Sequence, residues 1–259
     1  MYALAPREFL NQTAARKKNR FAVVIPAYNH AGSVENVITG CRSLGLPVFV
    51  VDDGSTDDAH QRVSRFSGIR VLRHAKNLGK GAAMMTGFRE ATRVADWAIT
   101  IDADGQHDPR DAAVLAGKAA TSGRAVVVGR RTGMEGAHIK WTSRFGRKFS
   151  NFWVRVSGGP LISDSQSGFR VYPLPDVTTW GTRSRRFEFE VEVLVQAHRR
   201  GIPIVEVPVP VTYLPPGERV SHFKPGPDFF RNAKTFTRLI TQRILMKPGG
   251  LIPVYRIKE

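Results

Sequence analysis

The chain has a single cysteine, Cys41, among 259 residues. That excludes an internal disulfide, and its place on an apolar helical stretch reads as a small buried residue rather than a nucleophile. No uncharged apolar run reaches the ~18 residues that a transmembrane helix needs, so none is expected. The first residues mix Arg7, Glu8, Asn11 and Gln12 ahead of Arg16, Lys17 and Lys18. They lack the apolar centre of a signal peptide and read, over residues 1–19, as a flexible arm or short helix. Acidic residues are scarce: 22 against 39 basic ones, a net charge of +17. The excess points to an anionic partner, whether nucleic acid, anionic lipid or phosphate. The basic residues are spread along the whole chain and no standard nucleic-acid motif occurs, so nucleic acid is not the expected partner. No GxGxxG follows the first apolar strand, which counts against a dinucleotide cofactor. Internal repeats and low-complexity segments are also lacking.

What is present centres on Asp96 to Asp108, which reads DWAITIDADGQHD. Trp97 to Ile101 is a short apolar strand, and Asp102 and Asp104 follow at once. Two acids at i and i+2 past a buried strand are costly unless a positive group meets them. A hard divalent cation holding a diphosphate would use them, with Gln106, His107 and Asp108 as further polar groups. A polar loop with an Asx turn gives the same local pattern.

The remaining chain frames this stretch. Phe21 to Ile25 is a buried strand stopped by Pro26, and a helix capped by Ser33 carries Val34, Val37, Ile38, Cys41 and Leu44 on one face. Val48 to Val51 is a second strand delivering Asp52 and Asp53, before the turn Gly54 to Asp58 and a short helix. Ile69 to Leu72 is a third strand, and a helix spans Ala82 to Val94. Beyond the acidic stretch come a helix over Asp111 to Thr121, a strand over Ala125 to Gly129 and helix over Ala137 to Val156. Next are a polar turn feeding a strand at Asp164 to Tyr172, a helix at Phe187 to Arg199 with Glu188, Glu190 and Glu192, and a strand at Ile202 to Pro208. A long amphipathic helix covers Asp228 to Met246. Short apolar strands separated by helical lengths mean an α/β sheet with mainly parallel strands, whose carboxyl ends carry the acids.

Five motifs in order narrow the class: Pro26-Ala27-Tyr28-Asn29, Val51 to Asp57 (VDDGSTD), Asn77 to Gly81 (NLGKG), Asp102 to Gln106 (DADGQ), and Asp164 with Ser167 to Arg170 (SGFR). This resembles the family 2 glycosyltransferases of the GT-A fold, and among them the dolichyl- or polyprenyl-phosphate mannose and glucose synthases. The resemblance runs from about Phe21 to Val211. It implies a catalytic domain over residues 20–215 and a basic extension over 216–259. Pro26, Ala27, Tyr28 and Asn29 would line the donor site with Asp53, Lys80, Asp102 and Ala103, Asp53 reading the base or ribose. His30 stands where the family usually has Glu. Asp102, Asp104 and Gln106 would hold Mg²⁺ or Mn²⁺ and the diphosphate. Asp164, Asp104 and Arg170 would be catalytic, Asp164 either as a base or as a holder of sugar hydroxyls. Arg130, Arg131 and Arg144 match the positions that hold an acceptor phosphate.

Implied is an inverting, metal-dependent transfer of a hexose from a UDP-, GDP- or dTDP-sugar to a polyprenyl phosphate at the cytoplasmic membrane face. The alternative acceptor is a hydroxyl of a lipid or surface glycan. Outside the class stand a nucleotidyltransferase, for which PAYNHAG is a poor loop, and a non-catalytic protein that binds anionic lipid. Two stretches interleave aromatic and basic residues: Trp141, Phe145 and Trp153 with Arg144, Arg147, Lys148 and Arg155, then Phe229, Phe230 and Phe236 with Arg231, Lys234 and Arg238. Both suit an anionic membrane surface, and the second alternatively a dimerisation helix or a lid. A plain core stripe accounts for the first equally.

Overall fold

In the computed structural model the described residues are 19–133, 141–212 and 225–245. The expectations for residues 1–18, and for the side chains of Trp141, Arg144 and Phe145, lie outside them.

The apolar runs form seven strands of one sheet among the described residues, in the order β3-β2-β1-β4-β6-β5-β7. They are β1 Phe21–Ala27, β2 Val48–Asp52, β3 Arg70–Arg73, β4 Trp97–Thr100, β5 Val126–Thr132, β6 Arg170–Pro173 and β7 Ile204–Pro210. β1 is parallel to β2 and β4, and β2 to β3. β6 runs antiparallel between β4 and β5, and β7 lies parallel beside β5. The sheet is therefore mainly parallel, as expected. Because β6 runs backwards, its first residue, Arg170, meets the carboxyl end of β4 at Thr100 and lies beside Val128 of β5.

The helices are α1 Val34–Arg42, α2 Ala59–Ser64, α3 Lys80–Ala91, α4 Ala112–Thr121, α5 Trp141–Val156, α6 Asp176–Thr179, α7 Phe189–Arg199 and α8 Pro225–Leu245. Alternation along each strand sends side chains to two cores. Phe21, Val23, Ile25 and Val127 pack with α1 and α4 on one face. Ala22, Val24, Val126 and Val128 pack with α3, α7 and α8 on the other. Gly87 is needed for the second layer, since a Cβ there would meet Val24 Cγ1 at 2.4 Å.

Strand bounds move from the expected ones at the functional edge. β1 passes through Pro26, whose Cα is in register with Val51, near the strand's end where a missing N–H costs least. β5 runs on to Thr132, which places Arg130 and Arg131 on a strand rather than a loop. Ser33 does occupy the cap position of α1, but its side chain makes no cap bond. Its hydroxyl donates instead to the Ala103 carbonyl at 2.6 Å, tying α1 to the acidic loop.

The last helix corrects an expectation about membrane-facing residues. Phe236 is 4% exposed and, with Leu239, is part of the second core. Its ring stacks on Trp153 of α5, itself half-buried and packed against that core. These two aromatics hold α8 and α5 onto the domain, and Phe236 faces no surface. Phe152, Phe229 and Phe230 remain exposed, Phe230 at 73%.

Candidate active site

Four acidic positions stand at the carboxyl edge. Asp52 ends β2 and Asp53 follows it, both buried. Asp52 accepts from the Ser55 amide at 2.9 Å and sits 3.2 Å from His60 Nδ1 and 3.2 Å from Arg73 Nε. Asp53 accepts from the Leu78 amide at 2.9 Å and the Gly79 amide at 2.7 Å, and lies 2.7 Å from His74 Nδ1. Its carboxylate therefore shapes the 74–79 loop. Gly79, at φ 106°, could not be replaced there without meeting Arg185 O and Arg186 Cγ. Beside this corner, Asn29 adopts φ 52°, an uncommon conformation that Asn tolerates best among residues with a Cβ. Its Oδ1 accepts from the Thr56 amide at 2.8 Å, joining the PAYN and GST segments. Pro26 and Ala27 are buried beneath, while Tyr28 is half-exposed at the opening.

Past β4, Asp102 and Asp104 are half-exposed and Ala103 between them is buried, so the two carboxylates share the solvent side. Lys80, the first residue of α3, puts Nζ 2.7 Å from Asp102 Oδ1 and 2.6 Å from Glu190 Oε1. Burial alone would lower the lysine pKa, yet the two carboxylates hold it above its ordinary value. Burial would likewise raise Asp102, and the ammonium outweighs it, keeping the carboxyl below the usual range. Asp104 accepts from Gln106 Nε2 at 2.7 Å and from the Gln106 amide at 3.1 Å. Gln106 thus braces Asp104. Among the described residues no group of three His, Cys, Asp or Glu could hold a metal by itself. Two half-exposed aspartates still fit a hard cation of the kind bound through one or two carboxylates and completed by substrate phosphates.

The third cluster comes from β5 and the loop entering β6. Asp164 is fully buried and accepts from Arg131 Nε at 2.8 Å, Arg131 Nη2 at 2.8 Å and the Arg131 amide at 3.1 Å. Burial would raise its pKa, but the guanidinium holds it below the ordinary carboxylate range. Glu206 of β7 accepts from the Ser163 and Asp164 amides, at 2.9 and 3.0 Å, and so fixes the loop. Arg130 and Arg131 are neighbours on a strand and point to opposite faces. Arg131 is committed to Asp164 on its side of the strand. Arg170, expected at the reacting centre, is 0% exposed. Its guanidinium donates to the carbonyls of Ser167 at 2.6 Å, Ser165 at 2.8 Å and Glu190 at 2.7 Å. It braces the SGF loop from beneath and touches no open space.

Residues 22–177 match the family described as Glycosyl transferase family 2. The chain belongs to that family. It is a glycosyltransferase, and its sheet with the acids at one edge is the GT-A fold. An undecaprenyl-phosphate mannosyltransferase of Micrococcus luteus is 30% identical over 203 residues, covering 73% of this chain and 82% of that one. A UDP-N-acetylglucosamine–dolichyl-phosphate N-acetylglucosaminyltransferase of Methanococcus voltae is 29% identical over 213 residues, covering 74% and 85%. It is with this branch, named for lipid-phosphate acceptors, that the sequence aligns. In structure, a glucosyl-3-phosphoglycerate synthase of Mycobacterium tuberculosis, solved with Mn²⁺ and UDP-glucose, superposes with TM-score 0.66. It is 22% identical, with 94% of this chain and 84% of that one covered, a likeness of fold.

Two structural partners of the candidate site, Glu190 and Glu206, were not singled out from the sequence. Glu190 was legible only as one of three helical acids, although a buried acid in an apolar helix requires a cation and Lys80 supplies it. Glu206 looks like an ordinary strand acid until the 163–164 amides are placed against it. His107 is buried against the Phe169 ring, centroids 5.0 Å apart, with Nδ1 lacking a hydrogen-bond partner among the described residues. Burial keeps its pKa below the ordinary histidine value.

Proposed function

We propose that this glycosyltransferase moves a hexose from a nucleoside-diphosphate sugar to a polyprenyl phosphate, with inversion, at the cytoplasmic face of a membrane. The reading is carried by the locked state of Asp164. A carboxylate buried against a guanidinium and held below its ordinary pKa is a poor proton acceptor. A hydroxyl acceptor needs a base, whereas a lipid phosphate arrives ionised and needs none. The names of the aligned relatives support the same acceptor class.

In this reading the base and ribose lie over Pro26, Ala27, Tyr28 and Asn29, with Asp53 holding the floor of that corner. The diphosphate lies over Asp102, Ala103 and Asp104. A bound Mg²⁺ or Mn²⁺, held by Asp102 and Asp104 with Gln106 bracing the latter, would offset charge on the departing diphosphate. An acceptor phosphate oxygen attacks the anomeric carbon from the face opposite the leaving group. The bond from that carbon to the diphosphate oxygen breaks, and its electron pair leaves with the nucleotide. Arg131 and Asp164 stand at the acceptor side, Asp164 keeping Arg131 in place. Residues 20–215 make up the catalytic unit, with α8 packed against it as a basic, membrane-facing helix. Its exposed Phe230, Ile244 and Leu245, with Phe152 of α5, are the apolar contacts.

The test is transfer from UDP-, GDP- and dTDP-hexoses to undecaprenyl phosphate in vesicles, with Mn²⁺ or EDTA, and NMR of the product's anomeric centre. A metal-dependent lipid-linked hexose of inverted configuration is expected. Transfer only to hydroxyl acceptors, or retention of configuration, would overturn the reading.

A further inference from the structure

Lys80 is shared between two carboxylates that come from distant parts of the chain. Asp102 lies two residues past the end of β4, and Glu190 sits in the first turn of α7. The Lys80 side chain is 15% exposed and that of Glu190 7%, so solvent does little to hold either in place. Glu190 is fixed in turn, because its carbonyl accepts from Arg170 Nη1 at 2.7 Å. Gly168 closes the group from above. A Cβ there would lie 2.5 Å from Asp102 Oδ2 and 2.7 Å from Lys80 Nζ. The ion triplet therefore fits only where residue 168 has no side chain, and the SGFR loop, α3, α7 and the acidic loop meet at one ammonium.

We infer that Glu190 is a positioning residue that acts through Lys80 to keep Asp102 aimed into the donor cleft. Lys80 Nζ is in full contact with Asp102 at 2.7 Å, and with that partner alone a lysine on a flexible stem could swing together with the carboxylate. Glu190 draws the ammonium to a fixed point between the two acids and takes part of its charge. Asp102 is then held at a fixed point and only partly neutralised, available to a cation and diphosphate. This rests on reading the cleft as a nucleotide-sugar site. A purely electrostatic role has the opposite sign. Removing one negative charge beside an anionic ligand would strengthen nucleotide binding, whereas loss of positioning weakens it.

The experiment is calorimetric titration of the full chain with UDP, GDP and dTDP, with and without MnCl₂, for wild type, Glu190→Gln, Lys80→Met and the double variant. For the nucleotide that wild type binds, Glu190→Gln is expected to weaken Mn²⁺-dependent binding by about 10-fold, the lower end of what loss of an outer-shell partner costs. The double variant should fall no further than Lys80→Met, since residues that act as one unit are not additive. Gly168→Ala perturbs the triplet with Glu190 intact and should reproduce the loss, which covers the case in which Glu190→Gln does not fold. Unchanged or tighter binding in Glu190→Gln, additive losses in the double variant, or wild-type binding in Gly168→Ala each overturn the assignment. Failure of wild type to bind any nucleotide with Mn²⁺ overturns the nucleotide-sugar reading itself, and the role of Glu190 with it.

Discussion

The Arg131–Asp164 pair shows how a single buried ion sets local behaviour. Removing one partner of such a pair strands the other charge in the interior, at about 3–5 kcal/mol. Arg131→Met is therefore expected to lower Tm markedly, by thermal unfolding, and to abolish transfer to the lipid. Asp164 also carries a pH signature. Its folded-state pKa is depressed, so its stabilisation is present above the ordinary value of about 3.9 and fades as pH falls through the lower folded value. Acid unfolding followed by circular dichroism should be steeper in wild type than in Asp164→Asn below about pH 4. At the diphosphate side, Asp104→Asn should cut turnover by about 100-fold or more at fixed Mn²⁺, with little change in Tm, because the residue is half-exposed. Unchanged turnover and metal dependence would remove Asp104 from the metal site. The acids at 52–53 and 102–104 were legible because a strand followed by acids is a local pattern. Arg170 was not. Its role depends on three carbonyls, at Ser165, Ser167 and Glu190, that only the folded loop brings together.

At the scale of elements, α8 illustrates the limit of periodicity. Its spacing announces an amphipathic helix, and one forms over Pro225–Leu245. Which aromatics face inward is decided by Trp153 and the α7 surface, and aromatic residues alone do not reveal it. Arg238 of α8 also reaches Glu192 of α7 at 2.8 Å, where the carboxylate is nearly inaccessible. Phe236→Ala should therefore cost about 3–5 kcal/mol, as large core truncations do, and be read as a lower Tm. Phe230→Ser should leave stability within about 0.5 kcal/mol and reduce co-sedimentation with anionic vesicles. Equal effects of the two on stability would mean that the helix packs in another rotation. β6 was foreseen as a strand at this place in the chain. Its reversed direction was not, because nothing local distinguishes an antiparallel neighbour inside a mainly parallel sheet.

For the whole molecule, the net charge of +17 shapes its encounters. Attraction of cationic side chains to an anionic surface is about 1 kcal/mol for each one near it and is screened within a Debye length of about 8 Å at physiological salt. Vesicle binding should therefore fall steeply with added NaCl when phosphatidylserine is present and be weak on neutral lipid. Salt-independent binding would place the apolar residues, rather than charge, in control. The fold class was legible from the spacing of apolar runs, since strand and helix periods are local. The meeting of α3, α7 and the acidic loop at Lys80 was not, since it joins residues 110 positions apart.

The two borders of the sheet bear on self-association. β3 is four residues long with Arg70 and Arg73 at its ends, and β7 carries Pro208 and Pro210. Proline has no N–H to offer an incoming strand, and paired like charges repel a second copy laid edge to edge. Among the described residues, neither border is therefore a good template for extending the sheet from one molecule into the next. The described sheet is in this way guarded against fibre-like stacking.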